Sequence, residues 1–180
     1  MTEQKCFVFR QENCVGCEAC TVACQAGKDL NEFITLRDTS QGEKTNNQGK
    51  QIAVFLSQSC HHCADPVCVE KCPEGAMVQR ADGIVYIDDS MCIGCGACKF
   101  ACPYGAPKVD PNRGILSKCD MCKDRLAEGE KPYCVQGCPV QVLDVMDQSE
   151  ALALPGASLS GDGHQDLGTG PSTVFIKLRN

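Results

Sequence analysis

Cysteines are the residues of this protein whose type and spacing could do chemistry. Sixteen of the 17 cysteines fall into four groups of four, and only Cys6 stands apart. Each group offers four thiols, which as thiolates are ligands for soft metals and for iron–sulfur clusters. The groups are Cys14, Cys17, Cys20 and Cys24; Cys60, Cys63, Cys68 and Cys72; Cys92, Cys95, Cys98 and Cys102; and Cys119, Cys122, Cys134 and Cys138.

The spacing inside the groups is typical of cubane clusters. Groups one and three follow C-x2-C-x2-C-x3-C, whereas the second and fourth have longer middle gaps. This is the bacterial ferredoxin run, in which the first three thiolates hold one cluster and the fourth binds its neighbour. The fourth lies about one helical turn beyond the third, so its side chain points elsewhere. Four groups therefore predict two pairs and four [4Fe-4S] clusters.

Zinc and disulfides are the alternative uses of these thiols. Paired C-x2-C units suit structural zinc, and the fourth group alone would fit that use, but the other three groups would not. A complete set of disulfides would leave one of the 17 cysteines over. Cys6 lies in the alternating stretch CFVFR and is predicted to be a small buried strand residue. His61 and His62 are predicted to pack or hydrogen-bond beside the second group rather than to replace a thiolate.

Composition limits the other possibilities. The 180 residues include no Trp, three Tyr and six Phe, so burial alone offers little to offset the ordering entropy. The formal charge of −6 argues against a nucleic-acid partner. Residues 1–10 lack the layout of a secretory signal, and no apolar run would cross a membrane. We expect a soluble protein that carries no export signal of its own.

The elements that must position the cysteines are short. Lys5–Phe9 alternates as a first strand, and a helix over Glu18–Ala26 follows the first cysteine loop. Strand-like stretches over Phe33–Arg37 and Ile52–Leu56 flank a polar hairpin or loop over Gln41–Lys50. Met77–Ile87 reads as a second hairpin that turns at Ala81-Asp82-Gly83.

The end of the sequence has a different texture. A strand over Gln141–Met146 follows the fourth group. Residues 155–172 are rich in Gly, Ser and Pro and predict a loop, and Thr173–Leu178 predicts a closing strand. A tail of this kind is ordered by docking on an edge or a partner, and we expect both here.

Several longer strings give the protein a family resemblance. CHHCADPVC, CPEGAM, ADGIVYID, CIGCGACKFACPYGAPK and KCDMCKDRLAEGEKPYCVQGCP resemble the four-cluster ferredoxin-like subunit of the dimethyl sulfoxide reductase family. Related subunits occur in polysulfide, nitrate and arsenate reductases, membrane formate dehydrogenases and tungsten aldehyde oxidoreductases. The resemblance extends to about residue 147, and the tail beyond it is short beside many relatives.

The resemblance implies an α+β fold of two pseudo-symmetric ferredoxin-like modules with small β-hairpins and short helices. Residues 58–114 would form a module nested in an outer one made of 1–57 and 115–147, with 148–180 as a loop and partner-docking strand. The implied ligand sets are Cys14, Cys17 and Cys20 with Cys138; Cys119, Cys122 and Cys134 with Cys24; Cys60, Cys63 and Cys68 with Cys102; and Cys92, Cys95 and Cys98 with Cys72. Cys95 is intact, which implies four cubanes.

The function implied is electron transfer without bond chemistry, since no Ser/His/Asp set and no phosphate loop is present. The expected partner is a large subunit with molybdenum or tungsten pterin; a membrane anchor, a flavoprotein or further copies of the same polypeptide are additional candidates. A free-standing polyferredoxin and a zinc-binding structural module are the alternatives. Small residues between the ligands, such as Gly94 and Gly96, are expected to let backbone N–H groups approach the sulfurs. Lys99, beside Cys98, is predicted to be solvated. The alternative is that its charge raises the reduction potential of one cluster.

Overall fold

The computed structural model describes residues 3–46 and 48–177. Ten strands and six short α-helices follow one another along these residues. They are β1 (Lys5–Arg10), α1 (Ala19–Gly27), β2 (Asp38–Thr45), β3 (Gln51–Gln58), α2 (Val67–Glu70), β4 (Met77–Gln79), β5 (Val85–Ile87), α3 (Ala97–Ala101), β6 (Lys108–Asp110), β7 (Ile115–Ser117), α4 (Lys123–Ala127), α5 (Tyr133–Gln136), β8 (Leu143–Asp147), α6 (Gln148–Leu152), β9 (Ala157–Ser158) and β10 (Val174–Ile176).

The largest sheet has the strand order β8-β1-β10-β9. β1 pairs antiparallel with β8 and parallel with β10, where Val8 lies opposite Val174. Residues 6–9 are all buried because β1 is covered on both faces, so the predicted alternation does not appear in the burial of this strand. Cys6 is fully buried in this strand, as predicted. The predicted strands at both ends of the sequence are confirmed; Leu178 lies outside the described residues.

Three antiparallel hairpins, β2–β3, β4–β5 and β6–β7, make up the other sheets. The predicted hairpin over Met77–Ile87 is confirmed. The predicted strand over Phe33–Arg37 is wrong: its alternation places Ile34 and Leu36 in the core while Phe33 is exposed, without any strand pairing. The polar stretch from Gln41 to Thr45 belongs instead to β2, which tolerates polar residues because its backbone pairs with β3 and its side chains face solvent.

The helices pack in pairs beside the cysteine groups. α1 packs on α5, and α2 packs on α3, so groups one and four meet, as do groups two and three. The β6–β7 hairpin, β9 and α6 were not expected from the sequence. Together the elements form a mixed α/β structure of small sheets and short helices. Among the described residues, no helix combines the length and apolarity needed to cross a bilayer.

The tail docks on the rest of the molecule. Residues 155–172 are mostly irregular, as predicted, but they are held in place by backbone hydrogen bonds. The amides of Ala64 and Asp65 donate to the carbonyls of Gly170 and Thr169 at 2.8 and 3.1 Å, and the amide of Ser172 donates to His61 at 3.0 Å. The tail therefore extends the sheet at β1 and also covers the loop of the second cysteine group.

The apolar residues form unequal cores. The main core is centred on large side chains such as Phe7, Phe9, Ile34 and Phe175. A smaller core contains Met77, Val85 and Leu116 with the thiols of Cys68 and Cys98.

Candidate metal centres

Four cysteines from groups two and three line one small cavity. Cys60 and Cys63 lie in the loop after β3, Cys68 lies in α2, and Cys102 follows α3. The cavity brings together three members of the second group and the last member of the third. We call this thiol set site C.

The remaining cysteines of these two groups line a second cavity. Cys92, Cys95 and Cys98 surround it with Cys72, and Leu116 closes one side. We call this thiol set site D. Three of its thiols come from the third group and one from the second, which is the reverse of site C. Cys95 is exposed to solvent.

Groups one and four also approach each other. Burial is the main cause that raises the pKa of Cys14, and the neighbouring thiols of Cys20, Cys138 and Cys17 raise it further. We call these four thiols site A. Cys17 is exposed, whereas Cys20 and Cys138 are buried.

The last set, site B, consists of buried cysteines. Burial raises the pKa of Cys24 to about 12, and the nearby Cys134 and Cys122 thiols add to the shift. The pKa of Cys119 is also raised, first by burial and then by Cys24. Each of the four sites thus combines three thiols of one group with one thiol of another.

Local backbone geometry explains how the loops curl around these sites. The residues preceding α1, α3 and α4 are Glu18, Gly96 and Cys122, and all three have left-handed backbone angles that reverse the direction of the polypeptide. Gly94, at φ +72°, has no room for a side chain, since a Cβ would meet the Gly114 carbonyl at 2.1 Å. Gly94 therefore allows a close approach of two backbone segments, whereas the expected approach of its own N–H group to a sulfur stays a prediction.

Backbone amides point at two of the sulfurs. The amide of His62 donates to Cys60 Sγ, and the amide of Val142 donates to Cys138 Sγ, both at 3.4 Å. Such contacts favour a negatively charged sulfur in a buried place. They are the contacts that a thiolate-held cluster needs from the protein.

Family comparisons agree with the donor set. A family model described as a 4Fe-4S dicluster domain matches residues 51–148, and a second with the same description matches residues 13–76. The protein belongs to the 4Fe-4S dicluster family. With two dicluster matches and 16 grouped cysteines, it carries four [4Fe-4S] clusters.

Named relatives agree with this membership. The B subunit of the anaerobic dimethyl sulfoxide reductase of Escherichia coli (strain K12) is 44% identical over 80% of this sequence and 74% of its own length. The B subunit of the polysulfide reductase of Wolinella succinogenes is 39% identical over 96% and 94%. The thiosulfate reductase electron transfer subunit PhsB of Salmonella typhi is 37% identical over 83% and 80%. This dicluster protein is accordingly an iron–sulfur electron-transfer subunit of the molybdopterin oxidoreductases.

Many thiols of the dicluster protein lie in buried places that disfavour free thiolates. Burial raises the pKa of Cys68 to about 12 and that of Cys63 to about 11. Without a positively charged group to bind, these thiols would keep their protons, so iron binding and proton release are coupled.

Two cations are buried among the sulfurs. Arg37 is 2% exposed and donates to Ser57 Oγ at 3.1 Å and Ser59 Oγ at 2.9 Å. Burial alone would lower the pKa of Arg37, but the thiols around it, Cys134 first, raise it overall. Lys118 is 7% exposed, and its Nζ donates to Cys60 Sγ at 3.3 Å. Both cations offset the negative charge that thiolates and clusters bring into the interior.

The histidines have the packing role predicted for them. His61 Nδ1 is 2.9 Å from Thr173 Oγ1, and His62 Nδ1 accepts from the Val85 amide at 3.0 Å. Burial, with the nearby His164 and Arg37, lowers the pKa of His61 to about 3, so the ring is neutral. Each Nε2 atom is buried without a hydrogen-bond partner in the described part of the protein, as is Nε of Arg37, which fits a neighbouring sulfide acceptor.

Three residues close to the thiols escaped the sequence interpretation: Arg37, Lys118 and Thr169. Arg37 lies in a stretch interpreted as a strand, and Thr169 lies in a loop without a recognisable pattern. Lys118 directly precedes Cys119, and that adjacency is the one signal that could have identified it. Lys99, by contrast, is exposed, in line with the solvated interpretation.

Proposed function

We propose that the protein passes single electrons between the pterin-bound molybdenum or tungsten of a large catalytic subunit and an external redox partner. Each cluster, when bound, supplies a one-electron couple. The protein holds the clusters in order, keeps water from the inner ones and leaves the outer ones accessible. The observation that carries the proposal is the difference in exposure among the thiol sets: sites A and D contain the exposed Cys17 and Cys95, whereas sites B and C contain no exposed cysteine.

Contacts between sites support the order A, B, C, D. Helix α1 carries Cys20 of site A and Cys24 of site B. Sites B and C meet where the Cys60 thiol acts electrostatically on Cys119. Helix α3 carries Cys98 of site D, and Cys102 of site C follows it directly. A shared helix thus links sites A and B and sites C and D, and neighbouring thiols connect sites B and C.

The ends of the row differ from its middle. Site A includes exposed Cys17, and Val15 and Val22 beside it are 58% and 62% exposed. Site D includes exposed Cys95, and Ile93 and Phe100 beside it are 63% and 86% exposed. Exposed apolar side chains next to a redox site suit docking of another protein. We propose that the catalytic subunit docks at one end and the second redox partner at the other.

The proposed ligand sets follow the four sites: Cys14, Cys17, Cys20 and Cys138; Cys119, Cys122, Cys134 and Cys24; Cys60, Cys63, Cys68 and Cys102; and Cys92, Cys95, Cys98 and Cys72. Residues 58–114 then form a module nested within 1–57 and 115–147, with a pseudo-symmetric arrangement of helix pairs. Residues 148–180 are the proposed partner-docking tail, and the strands β9 and β10 within it complete the outer sheet.

Paired alanine variants test these sets. Cys63→Ala and Cys102→Ala should abolish the same electron paramagnetic resonance signal, although the two residues belong to different groups. Cys95→Ala should abolish a different signal from Cys102→Ala. Iron should fall from about 16 to about 12 atoms per polypeptide in each single variant and in the Cys63/Cys102 double variant. Loss of one common signal from Cys95→Ala and Cys102→Ala would mean that each group holds its own cluster.

Copurification tests the partner. We expect a large subunit with molybdenum or tungsten to accompany the protein, and metal analysis to identify which. A stable monomer with four clusters and no such subunit would favour the free-standing polyferredoxin, and a few zinc ions without iron would favour a structural module. A membrane anchor, a flavoprotein or a second copy of the same polypeptide are candidates for the other end. The compartment of the protein depends on its catalytic partner. The complex stays in the cytoplasm or is exported in the folded state, and it lies at the membrane surface where an anchor subunit is present.

A further inference from the structure

Site C receives two side-chain donors that the ferredoxin pattern does not require. Lys118 Nζ donates to Cys60 Sγ at 3.3 Å, and Thr169 Oγ1 donates to Cys63 Sγ at 3.2 Å. Lys118 is 7% exposed and Thr169 is 4% exposed. The two donors come from distant parts of the sequence and reach different thiols of the same set.

The position of Lys118 is fixed by its other hydrogen bonds. Its ammonium also donates to the carbonyl of Cys119 at 2.8 Å and to the carbonyl of Val85. Three acceptors therefore occupy its three N–H donors. Among the described residues, Lys118 forms no ion pair with Asp or Glu, which leaves the Cys60 sulfur as its anionic contact.

Thr169 is held in position by the tail. Asp166 Oδ1 accepts from the amides of Gly168, Thr169 and Gly170, which curls the backbone into a tight turn. The Thr169 carbonyl then accepts from the Asp65 amide at 3.1 Å, two residues beyond Cys63. The turn therefore aims the hydroxyl at the Cys63 sulfur.

We propose that Lys118 and Thr169 are positioning residues that raise the reduction potential of the cluster at site C. Site C is the inner site that adjoins site B. Reduction adds negative charge, which a nearby cation and a hydrogen bond to sulfur both stabilise. A buried charge acts about four times more strongly, at an effective dielectric of about 20, than in water. The proposal rests on the ligand set proposed for site C.

The test compares midpoint potentials from redox titrations of the anaerobic, fully loaded protein, followed by electron paramagnetic resonance. In Lys118→Met, the ratio of reduced to oxidised cluster at the original midpoint should fall about tenfold at one site, which is 59 mV for a one-electron couple. In Thr169→Val, the ratio of reduced to oxidised cluster that gives the same signal should fall about threefold at the original midpoint, because a hydrogen bond to a charged group is lost. Thr169→Ser keeps the hydroxyl and should keep the potential.

Lys99→Met is the matched charge control. Lys99 also adjoins a site cysteine, Cys98, but it is exposed, so solvent screens its charge and the ratio should change less than about twofold. The inference is overturned if Lys118→Met, with iron retained, shifts no signal more than Lys99→Met does. It is also overturned if Lys118→Met and Thr169→Val shift different signals, since one cluster must respond to both.

Iron analysis separates the possible failures. If Lys118→Met loses iron, the comparison of Thr169→Val with Thr169→Ser decides, and equal potentials in those two variants reject the proposal. If the wild-type protein binds no clusters at all, the proposed function fails. With about 16 iron atoms present and the midpoints unmoved, only the tuning role of Lys118 and Thr169 fails.

Discussion

The proposed outer and nested modules, called here the outer and nested parts, hold similar thiol sites by different means. In the outer part, the sites lie against a four-stranded sheet and a core that includes Phe7, Phe9 and Phe175. In the nested part, the longest strand has three residues, the helices have four or five, and the core is small. Elements so short are not stable in isolation. The comparison indicates that the nested part owes most of its order to clusters and to the tail that covers it.

Removal of iron and sulfide should have the largest effect on stability, and it should disorder the nested part more completely than the outer part. We expect the apoprotein to be largely disordered, because binding energy at such sites is also folding energy. The amides of β4 and β5 should lose all protection from hydrogen exchange, while any residual protection should be found in β1 and β8. Circular dichroism and hydrogen exchange measure this. Native protection of the nested hairpins after complete iron removal would contradict the comparison.

Truncation of a core side chain in the outer part should have the second largest effect on stability. Phe9→Ala should lower the free energy of unfolding by about 3–5 kcal/mol, because the ring is 1% exposed and packs edge-on to Phe175. Anaerobic denaturant titration gives the value. Phe100→Ala is the control, since that ring is 86% exposed and should cost less than about 0.5 kcal/mol. Equal losses in the two variants would mean that the sheet core does not hold the outer part together.

Loosening the tail should have a smaller effect, centred on the nested part. Ser172 Oγ donates to the His61 carbonyl at 2.6 Å in a buried position. Ser172→Ala should cost about 1–2 kcal/mol in unfolding free energy and speed the loss of one cluster signal in air, because site C is less well covered. Exposed Ser160→Ala is the control. A uniform loss of all four signals would argue against a cover specific to site C.

A surface ion pair in the nested part should matter least. Arg113 pairs with Asp89, and both side chains are about half exposed. Arg113→Ala should change the free energy of unfolding by about 0–1 kcal/mol, because solvent and salt screen the pair. The loss measured by denaturant titration should be smaller at high salt than at low salt. A loss above about 2 kcal/mol, well beyond the range of exposed pairs, would show that the nested part depends on surface charge after all.

Features set by neighbouring residues were the predictable ones. The cysteine spacing predicted four cluster sites, CFVFR predicted β1, and the turn at Ala81-Asp82-Gly83 predicted the β4–β5 hairpin. All of these depend on residues close together in the sequence. The grouping of thiols across distant repeats was available only through the family resemblance.

Features that depend on distant contacts could not be predicted. The alternation of Phe33–Arg37 suits a strand, but the same alternation lets Ile34 and Leu36 enter the core from a loop. The contact of Thr169 with Cys63 joins residues 106 positions apart. Nothing in a Gly- and Ser-rich stretch marks one hydroxyl as a partner for a sulfur, since that choice is made when the tail packs.

The parallel pairing of β1 with β10 has a consequence for how the protein is made. Val8 pairs with Val174, so the central sheet stays incomplete until the residues of β10 have left the ribosome. Thr169 and Ser172 are synthesised just before β10, and until then these two residues cannot cover the loop around Cys60 and Cys63. Biosynthesis thereby leaves an interval in which iron and sulfide can reach the open cysteine loop before Thr169 and Ser172 cover it.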